Sequence, residues 1–84
     1  MQSMKNVLVT GSTGCLGEKI VEILKKNNYN VIGTYNHNEN KALELKNKYD
    51  VDMFKCNLEN EEDINILVDK IIDKYKNIDI LINN

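Results

Sequence analysis

The chain has 84 residues, enough for one small domain, which we place at residues 1–84. Its net charge of −2 and its lack of arginine exclude the strongly basic surface that binds nucleic acids or anionic membranes. No apolar run is long enough to cross a bilayer, and Cys15 and Cys56 lack a metal-binding spacing. We therefore predict a cytoplasmic protein with reduced thiols and no metal site.

The first predicted unit is a strand, a glycine-rich loop and a helix. Residues 5–10 read KNVLVT, a β-branched apolar run that is typical of a strand buried on both faces. From Gly14 to about Lys26 the apolar residues recur at helical spacing, until NNYN interrupts them: Leu16, Ile20, Ile23 and Leu24.

The rest of the chain predicts three more strands and two more helices. NVIGTY at 30–35, VDMFKC at 51–56 and IDILI at 78–82 indicate strands. A short charged helix with a narrow apolar stripe lies between the first two of these. The last helix is the clearest, because Asn60 is placed to cap it and its first turn is acidic. Its apolar face consists of Ile64, Leu67, Val68, Ile71, Ile72 and Tyr75.

The order βαβαβαβ predicts a three-layer, Rossmann-like α/β fold with a parallel sheet of about four strands. Right-handed crossovers place the strands in the order 3-2-1-4, with two helices on one face and the third helix on the other. This is half of a doubly wound fold, so we expect an under-covered face and an open edge at the fourth strand. Ile80 and Ile82 are expected on the less covered side, and we predict a homo-oligomer.

The glycine loop indicates a phosphate-binding site. A loop between a buried strand and a helix gathers unpaired amides at the positive end of the helix dipole. We expect Gly11 to permit the tight turn, Gly14 to let the backbone approach a pyrophosphate, and Gly17 to let the helix pack on the strand. The alternative is that the glycines serve only turn formation and packing; their position between a strand and a helix favours binding.

Three segments together resemble the short-chain dehydrogenase/reductase family: TGSTGCLG at 10–17, CNLEN at 56–60 and IDILINN at 78–84. VIGT, Asn57-Leu58 and DILINN most resemble the β-ketoacyl carrier-protein reductases of fatty-acid synthesis. The glycine spacing departs from the family's ordinary Thr-Gly-x-x-x-Gly-x-Gly, because Cys15 stands where a glycine is expected. That spacing is closer to the extended, sugar-nucleotide-modifying branch, whereas the INN ending belongs to the ordinary branch and has more weight.

The resemblance implies a dinucleotide cofactor and assigns contacts to it. The diphosphate would lie on the glycine loop, at Gly11, Ser12, Thr13, Gly14, Leu16 and Gly17. The adenine would lie against Asn57 and Leu58, and its ribose near Asn83. Tyr35, followed by Asn36 and His37, takes the place of the aspartate that NAD-preferring members carry. This favours NADP, and NAD stays open because no arginine is present to hold a 2′-phosphate.

The resemblance also implies hydride transfer between a nicotinamide and a carbonyl or alcohol. The expected substrate of the parent protein is a small-molecule or acyl-carrier-bound carbonyl, such as a 3-oxoacyl thioester. The family's catalytic serine and Tyr-x-x-x-Lys lie beyond its cofactor half, and no tyrosine of this chain has a lysine four positions later. We therefore assign no catalytic residue and expect these 84 residues alone to be inactive. The alternatives are a nucleotide-binding regulatory module and part of an extended-branch sugar-nucleotide epimerase or reductase.

Overall fold

The structure, a computed structural model, describes residues 4–84 and confirms the predicted order of elements. In chain order these are β1 (Asn6–Val9), α1 (Cys15–Lys26), β2 (Asn30–Tyr35), α2 (Glu39–Tyr49), β3 (Asp52–Lys55), α3 (Glu61–Tyr75) and β4 (Ile80–Ile82). All strand pairs are parallel, and the sheet has the predicted order β3-β2-β1-β4. The fold is therefore the predicted Rossmann-like α/β arrangement.

Two hydrophobic cores lie on opposite faces of the sheet. Val7 and Val9 of β1 are fully buried in the larger core, together with Val21 of α1 and Leu45 of α2. Leu8, whose side chain points to the other face, packs on a smaller core that α3 contributes to. The alternation along β1 thus places α1 and α2 on one face and α3 on the other.

The residue of β4 that lies on the less covered face of the sheet is not the predicted one. Ile80 lies opposite Val7 and Ile82 lies opposite Val9, so both isoleucines face the larger core, where they are half-buried. Leu81 lies opposite Leu8, on the α3 face, and is 61% exposed. The prediction that Ile80 and Ile82 occupy the less covered side is therefore wrong. The pleat of the strand gives that position to Leu81.

The three helices begin in two different ways. Asn38 caps α2 by accepting the Lys41 amide at 3.1 Å, and Asn60 caps α3 by accepting the Asp63 amide at 3.2 Å, as the sequence predicts for α3. The residue in the corresponding position of α1 is Gly14, which has no side chain for capping. Within residues 4–84, no helix combines the length and the apolar composition needed to cross a membrane.

Candidate functional site

The loop between β1 and α1 lies at the carboxyl ends of the strands. Gly11 has a φ of +61°, in the left-handed region that favours glycine, and turns the chain back over β2. The amide and the hydroxyl of Ser12 then both donate to the Thr34 carbonyl, at 3.0 and 2.9 Å. Ser12 is thus fully buried with its donors engaged, whereas the next two residues of the loop, Thr13 and Gly14, are half-buried and exposed, respectively.

The start of α1 presents a row of unbonded amides. Its first helical hydrogen bond runs from the Glu18 amide to the Gly14 carbonyl, at 2.9 Å. The amides of residues 13–16 find no acceptor elsewhere in the described range 4–84. Such amides, with the positive end of the helix dipole behind them, form an anion-binding surface. Gly14, Cys15 and Leu16 are exposed, so this surface is open to a ligand.

Gly14 and Gly17 differ in what a side chain would meet. A Cβ atom at Gly17 would lie 2.5 Å from the Gly11 carbonyl oxygen and 2.7 Å from Ser12 Cα, so glycine is required where α1 crosses the loop. A Cβ at Gly14 would approach no protein atom closer than 4.0 Å. Packing therefore explains Gly17 but does not explain Gly14.

A cavity of about 430 Å³ adjoins the loop at the ends of β2 and β3. Its volume is in the range of small-ligand sites, roughly 300–1,000 Å³. The cavity brings together residues from the glycine loop, the end of β2 and the segment after β3, but none from residues 78–84. Its lining is Gly11, Thr34, Tyr35, Asn36, His37, Cys56, Asn57, Leu58 and Glu59.

The β3 wall of the cavity is held by the start of α3. The Asp63 carboxylate accepts the Asn57 amide at 3.1 Å, and Asn57 Oδ1 accepts the Glu59 amide at 3.0 Å. Leu58, on this turn, is 46% exposed and offers an apolar surface to the cavity. Burial raises the pKa of the Cys56 thiol, and the nearby Asp63 carboxylate adds to this. Cys56 is therefore a protonated, packed residue of the wall.

The β2 wall carries Tyr35, Asn36 and His37. Tyr35 is half-buried, and Asn36 Nδ2 lies 3.2 Å from the Nε2 atom of the exposed His37. The nearest lysine along β3, Lys55, is already paired with Glu39, at 3.2 Å. This wall therefore offers hydrogen-bonding groups and no carboxylate, whereas Glu59 supplies a carboxylate to the lining from the β3 side.

The end of β4 is tied to the glycine loop through Thr10. The Thr10 hydroxyl donates to Asn83 Oδ1 at 3.0 Å and accepts the Asn84 amide at 3.1 Å. Asn84 Nδ2 in turn donates to the Gly11 carbonyl at 3.0 Å. Asn83 therefore lies at the same edge of the sheet but outside the cavity lining.

Several residues of this edge were not predicted as cofactor contacts, namely Thr10, Thr34, Cys56 and Glu59. Each is adjacent in the chain to a predicted contact and lies at or just beyond the carboxyl end of a strand. The rule that ligands bind at this edge of an open α/β sheet would have included them.

A family model for short chain dehydrogenases matches residues 5–84. Among curated relatives, the chain is 42% identical over 55 residues to the uncharacterized oxidoreductase YmfI of Bacillus subtilis (strain 168), covering 66% of this chain and 22% of that protein. It is 46% identical over 46 residues to a 1-deoxy-D-xylulose 5-phosphate reductoisomerase of Malacoplasma penetrans (strain HF-2), covering 54% of this chain and 12% of that protein. The chain thus spans less than a quarter of the length of either relative.

Solved structures share the fold over almost all of the chain. A Bacillus thuringiensis protein, provisionally assigned as a 3-oxoacyl-reductase, gives a TM-score of 0.87 at 25% identity, with 98% of this chain and 35% of that chain covered. The structure of ElxO with NADP bound gives 0.81 at 30% identity, again with 98% and 35% covered. The chain spans about a third of each of these proteins. The match over residues 5–84, together with the resemblance of the three segments, shows that this chain belongs to the short chain dehydrogenase family.

Proposed function

We propose that these residues form the dinucleotide-binding part of an NAD(P)-dependent oxidoreductase, with NADP as its cofactor. The observation that carries the proposal is the row of unbonded amides at residues 13–16, which starts α1 beside the cavity of about 430 Å³. Backbone amides at a helix start suit a diphosphate, and a cavity of this size suits an adenosine. The similarity to ElxO, a protein whose structure holds NADP, supports the same assignment.

The residues present fit such a cofactor. The diphosphate would lie on the outward side of the loop, at Thr13, Gly14 and Leu16, and the adenosine would lie between the two walls of the cavity. Ser12 would support the loop from beneath, since its donors are already bonded to Thr34. When bound, the nicotinamide would supply the hydride, and the residues of this chain would hold and orient it.

The choice of NADP rests on the β2 wall. A carboxylate at Tyr35, Asn36 or His37 would repel a 2′-phosphate, and none of these residues has one. The chain also lacks an arginine to grip the phosphate. Each hydrogen bond from an arginine to the 2′-phosphate would contribute about 1.5–3 kcal/mol, and this chain lacks them. We therefore expect a preference for NADP that is moderate.

The activity is proposed for a longer protein that contains these residues. We propose that it reduces a carbonyl, such as a 3-oxoacyl thioester, which agrees with the resemblance of the DILINN segment and with the fold shared with the provisional 3-oxoacyl-reductase. A homo-oligomer is also proposed, because Leu81 is exposed beside the unpaired edge of β4. A cytoplasmic location remains a prediction from composition.

Cys15 provides a direct test of cofactor binding that does not require activity. This thiol is exposed at the start of α1, whereas Cys56 is buried. We expect NADPH to slow the alkylation of Cys15 in the 84-residue chain, and we expect adenosine, which lacks the diphosphate, to leave the rate unchanged. A Cys15→Ser variant measures the background from Cys56. Alkylation of Cys15 at the same rate with and without saturating NADPH would contradict the proposed site.

The same protection would be given by a regulatory module that binds the nucleotide without catalysis. The two functions are separated by assaying the longer protein for NADPH oxidation with an acetoacetyl thioester. Protection of Cys15 without turnover in that protein would favour the regulatory module.

A further inference from the structure

Ser12 occupies a fully buried position between α1 and β2. On one side, a Cβ at Gly17 would lie 2.7 Å from Ser12 Cα; on the other, a Cβ at Gly33 would lie 2.6 Å from Ser12 Oγ. Gly17 therefore leaves room for the backbone of residue 12, and Gly33 leaves room for the serine hydroxyl. Glycine weakens a strand interior, so its presence at Gly33 indicates a close approach, here by Ser12 and by the Met53 side chain.

The hydrogen bonds of Ser12 continue the sheet beyond the end of β1. The pairing of β1 with β2 ends where Val9 lies opposite Gly33. The next carbonyl of β2, that of Thr34, then accepts both the amide and the hydroxyl of Ser12, at 3.0 and 2.9 Å. A single residue thus fixes the glycine loop to the strand whose end forms one wall of the cavity.

We infer that Ser12 is a positioning residue for dinucleotide binding, a role that rests on the proposed function. Its hydroxyl holds the loop against Thr34, and the amides of residues 13–16 follow directly in the chain. A loop fixed before binding loses less conformational freedom when the diphosphate arrives. Since the backbone bond of Ser12 needs no hydroxyl, the side-chain bond adds rigidity to a turn that the amide alone already forms.

The test compares two ligands that differ in the diphosphate. In the full chain, Ser12→Ala keeps the amide bond and the available space but removes the hydroxyl bond to Thr34. We expect the dissociation constant for NADPH to rise about three- to tenfold, the effect of one hydrogen bond. The dissociation constant for adenosine 2′-monophosphate, which lacks the diphosphate, should change less than about twofold by the same reasoning.

A second variant checks the same contact from β2. Gly33→Ala would push on Ser12 Oγ and on the flexible Met53 side chain, whose sulfur would lie 2.6 Å from the new Cβ. We expect this variant to weaken NADPH binding as well. Because Ser12→Ala removes the hydroxyl that the new methyl group meets, the two changes together should weaken binding less than the product of their separate effects.

The outcomes are distinct. If Ser12→Ala loses affinity equally for both ligands, Ser12 supports the whole site rather than the loop. If it loses affinity for neither, its hydroxyl has no role in binding. Either result overturns the inference. If the unaltered chain binds adenosine 2′-monophosphate but not NADPH, or neither, the proposed function fails, and the positioning role fails with it. Circular dichroism and urea unfolding of each variant establish that the compared proteins are folded.

Discussion

The starts of α1 and α3 lie at the same edge of the sheet but have opposite chemistry. At α3, Asn60 accepts the Asp63 amide, the Asp63 carboxylate accepts the Asn57 amide, and the first turn holds three acidic residues. At α1, Gly14 provides no cap and the first turn holds one acidic residue, Glu18, which is paired with Lys41 of α2 at 2.8 Å. Side chains at the start of α3 thus accept backbone amides and bring negative charge to it, whereas no side chain accepts an amide of residues 13–16 at the start of α1.

This difference determines where an anion can bind. Both helices direct the positive end of a dipole toward the same edge, but the carboxylates at α3 already neutralise it and would repel a phosphate. At α1 the dipole and the amides of residues 13–16 have no such partner within the described part of the chain. The proposed phosphate site is therefore defined by the hydrogen-bonding groups that the fold leaves unsatisfied. The glycines make that arrangement sterically possible.

The largest effect is expected from breaking the packing that makes the α1 start possible. Gly17→Ala places a Cβ 2.5 Å from the Gly11 carbonyl oxygen, and neither atom can move away without a shift of the backbone. We expect a loss of about 3 kcal/mol in the free energy of unfolding, at the upper end of overpacking costs. Gly14→Ala is the matched control, because its Cβ has no protein atom within 4.0 Å, and should change stability by less than about 0.5 kcal/mol. Urea unfolding measures both; equal losses would contradict the distinction.

A second prediction adds an acidic group to the β2 wall of the cavity, since the β3 side already has one in Glu59. Tyr35→Asp adds a carboxylate to the β2 wall, where we expect it to repel the 2′-phosphate of NADPH. The ratio of the NADPH and NADH dissociation constants should shift toward NADH by about tenfold, equivalent to about 1.4 kcal/mol. Tyr35→Asn is the control, since it has nearly the same shape without the charge. If both variants shift the ratio equally, the loss of the tyrosine rather than the added charge is responsible.

A third prediction removes the cap that distinguishes α3. Asn60→Ala leaves the Asp63 amide without its acceptor, so we expect a loss of about 1 kcal/mol in stability. Asn65→Ala, at an exposed position inside the same helix, should be neutral or slightly stabilising because alanine is the better helix former. Both are measured by urea unfolding. Equal effects of the two substitutions would show that Asn60 does not act as a cap.

The sequence predicts the fold well because each element carries its own periodic signal. Every strand and helix is present, and the cap at Asn60 is where the sequence placed it. β2 has the predicted bounds, whereas the other three strands are shorter by a residue or two at one or both ends. The face of the sheet on which Ile80 and Ile82 lie was predicted wrongly, because the register of β4 against β1 decides which side chains point to each face. A shift of one residue exchanges the two faces, and only the pairing with β1 shows that Leu81 is the outward one.

The site is less predictable because its contacts join distant parts of the chain. GSTG gives no local sign that Ser12 turns inward while Thr13 turns outward; that depends on the missing side chains of Gly17 and Gly33. The bond between Thr10 and Asn83 likewise spans 73 positions. Glycine spacing identifies the loop, but tertiary contacts decide which of its groups remain available.

The smallest effect concerns the thiol beside the start of α3. Burial raises the pKa of Cys56 in the folded chain, and the Asp63 carboxylate raises it further. Below the unfolded thiol pKa, about 8.5, both states are protonated and this contribution to stability is fully present. As the pH rises above that value, the Cys56 thiol of the unfolded chain ionises first, so stability falls until the folded thiol also ionises. Cys56→Ala should lessen this alkaline loss relative to the unaltered chain, because the two proteins differ only in this thiol. Asp63→Asn, which retains an oxygen that can accept the Asn57 amide, should lessen it by a smaller amount, because burial is the larger cause. Urea unfolding between neutral pH and about pH 10, the range that brackets thiol ionisation, measures all three proteins. An identical pH dependence of stability in the unaltered chain and in Cys56→Ala would show that the thiol ionises as readily in the folded chain as in the unfolded one. The β3 wall of the cavity would then be more open to water than its packing indicates.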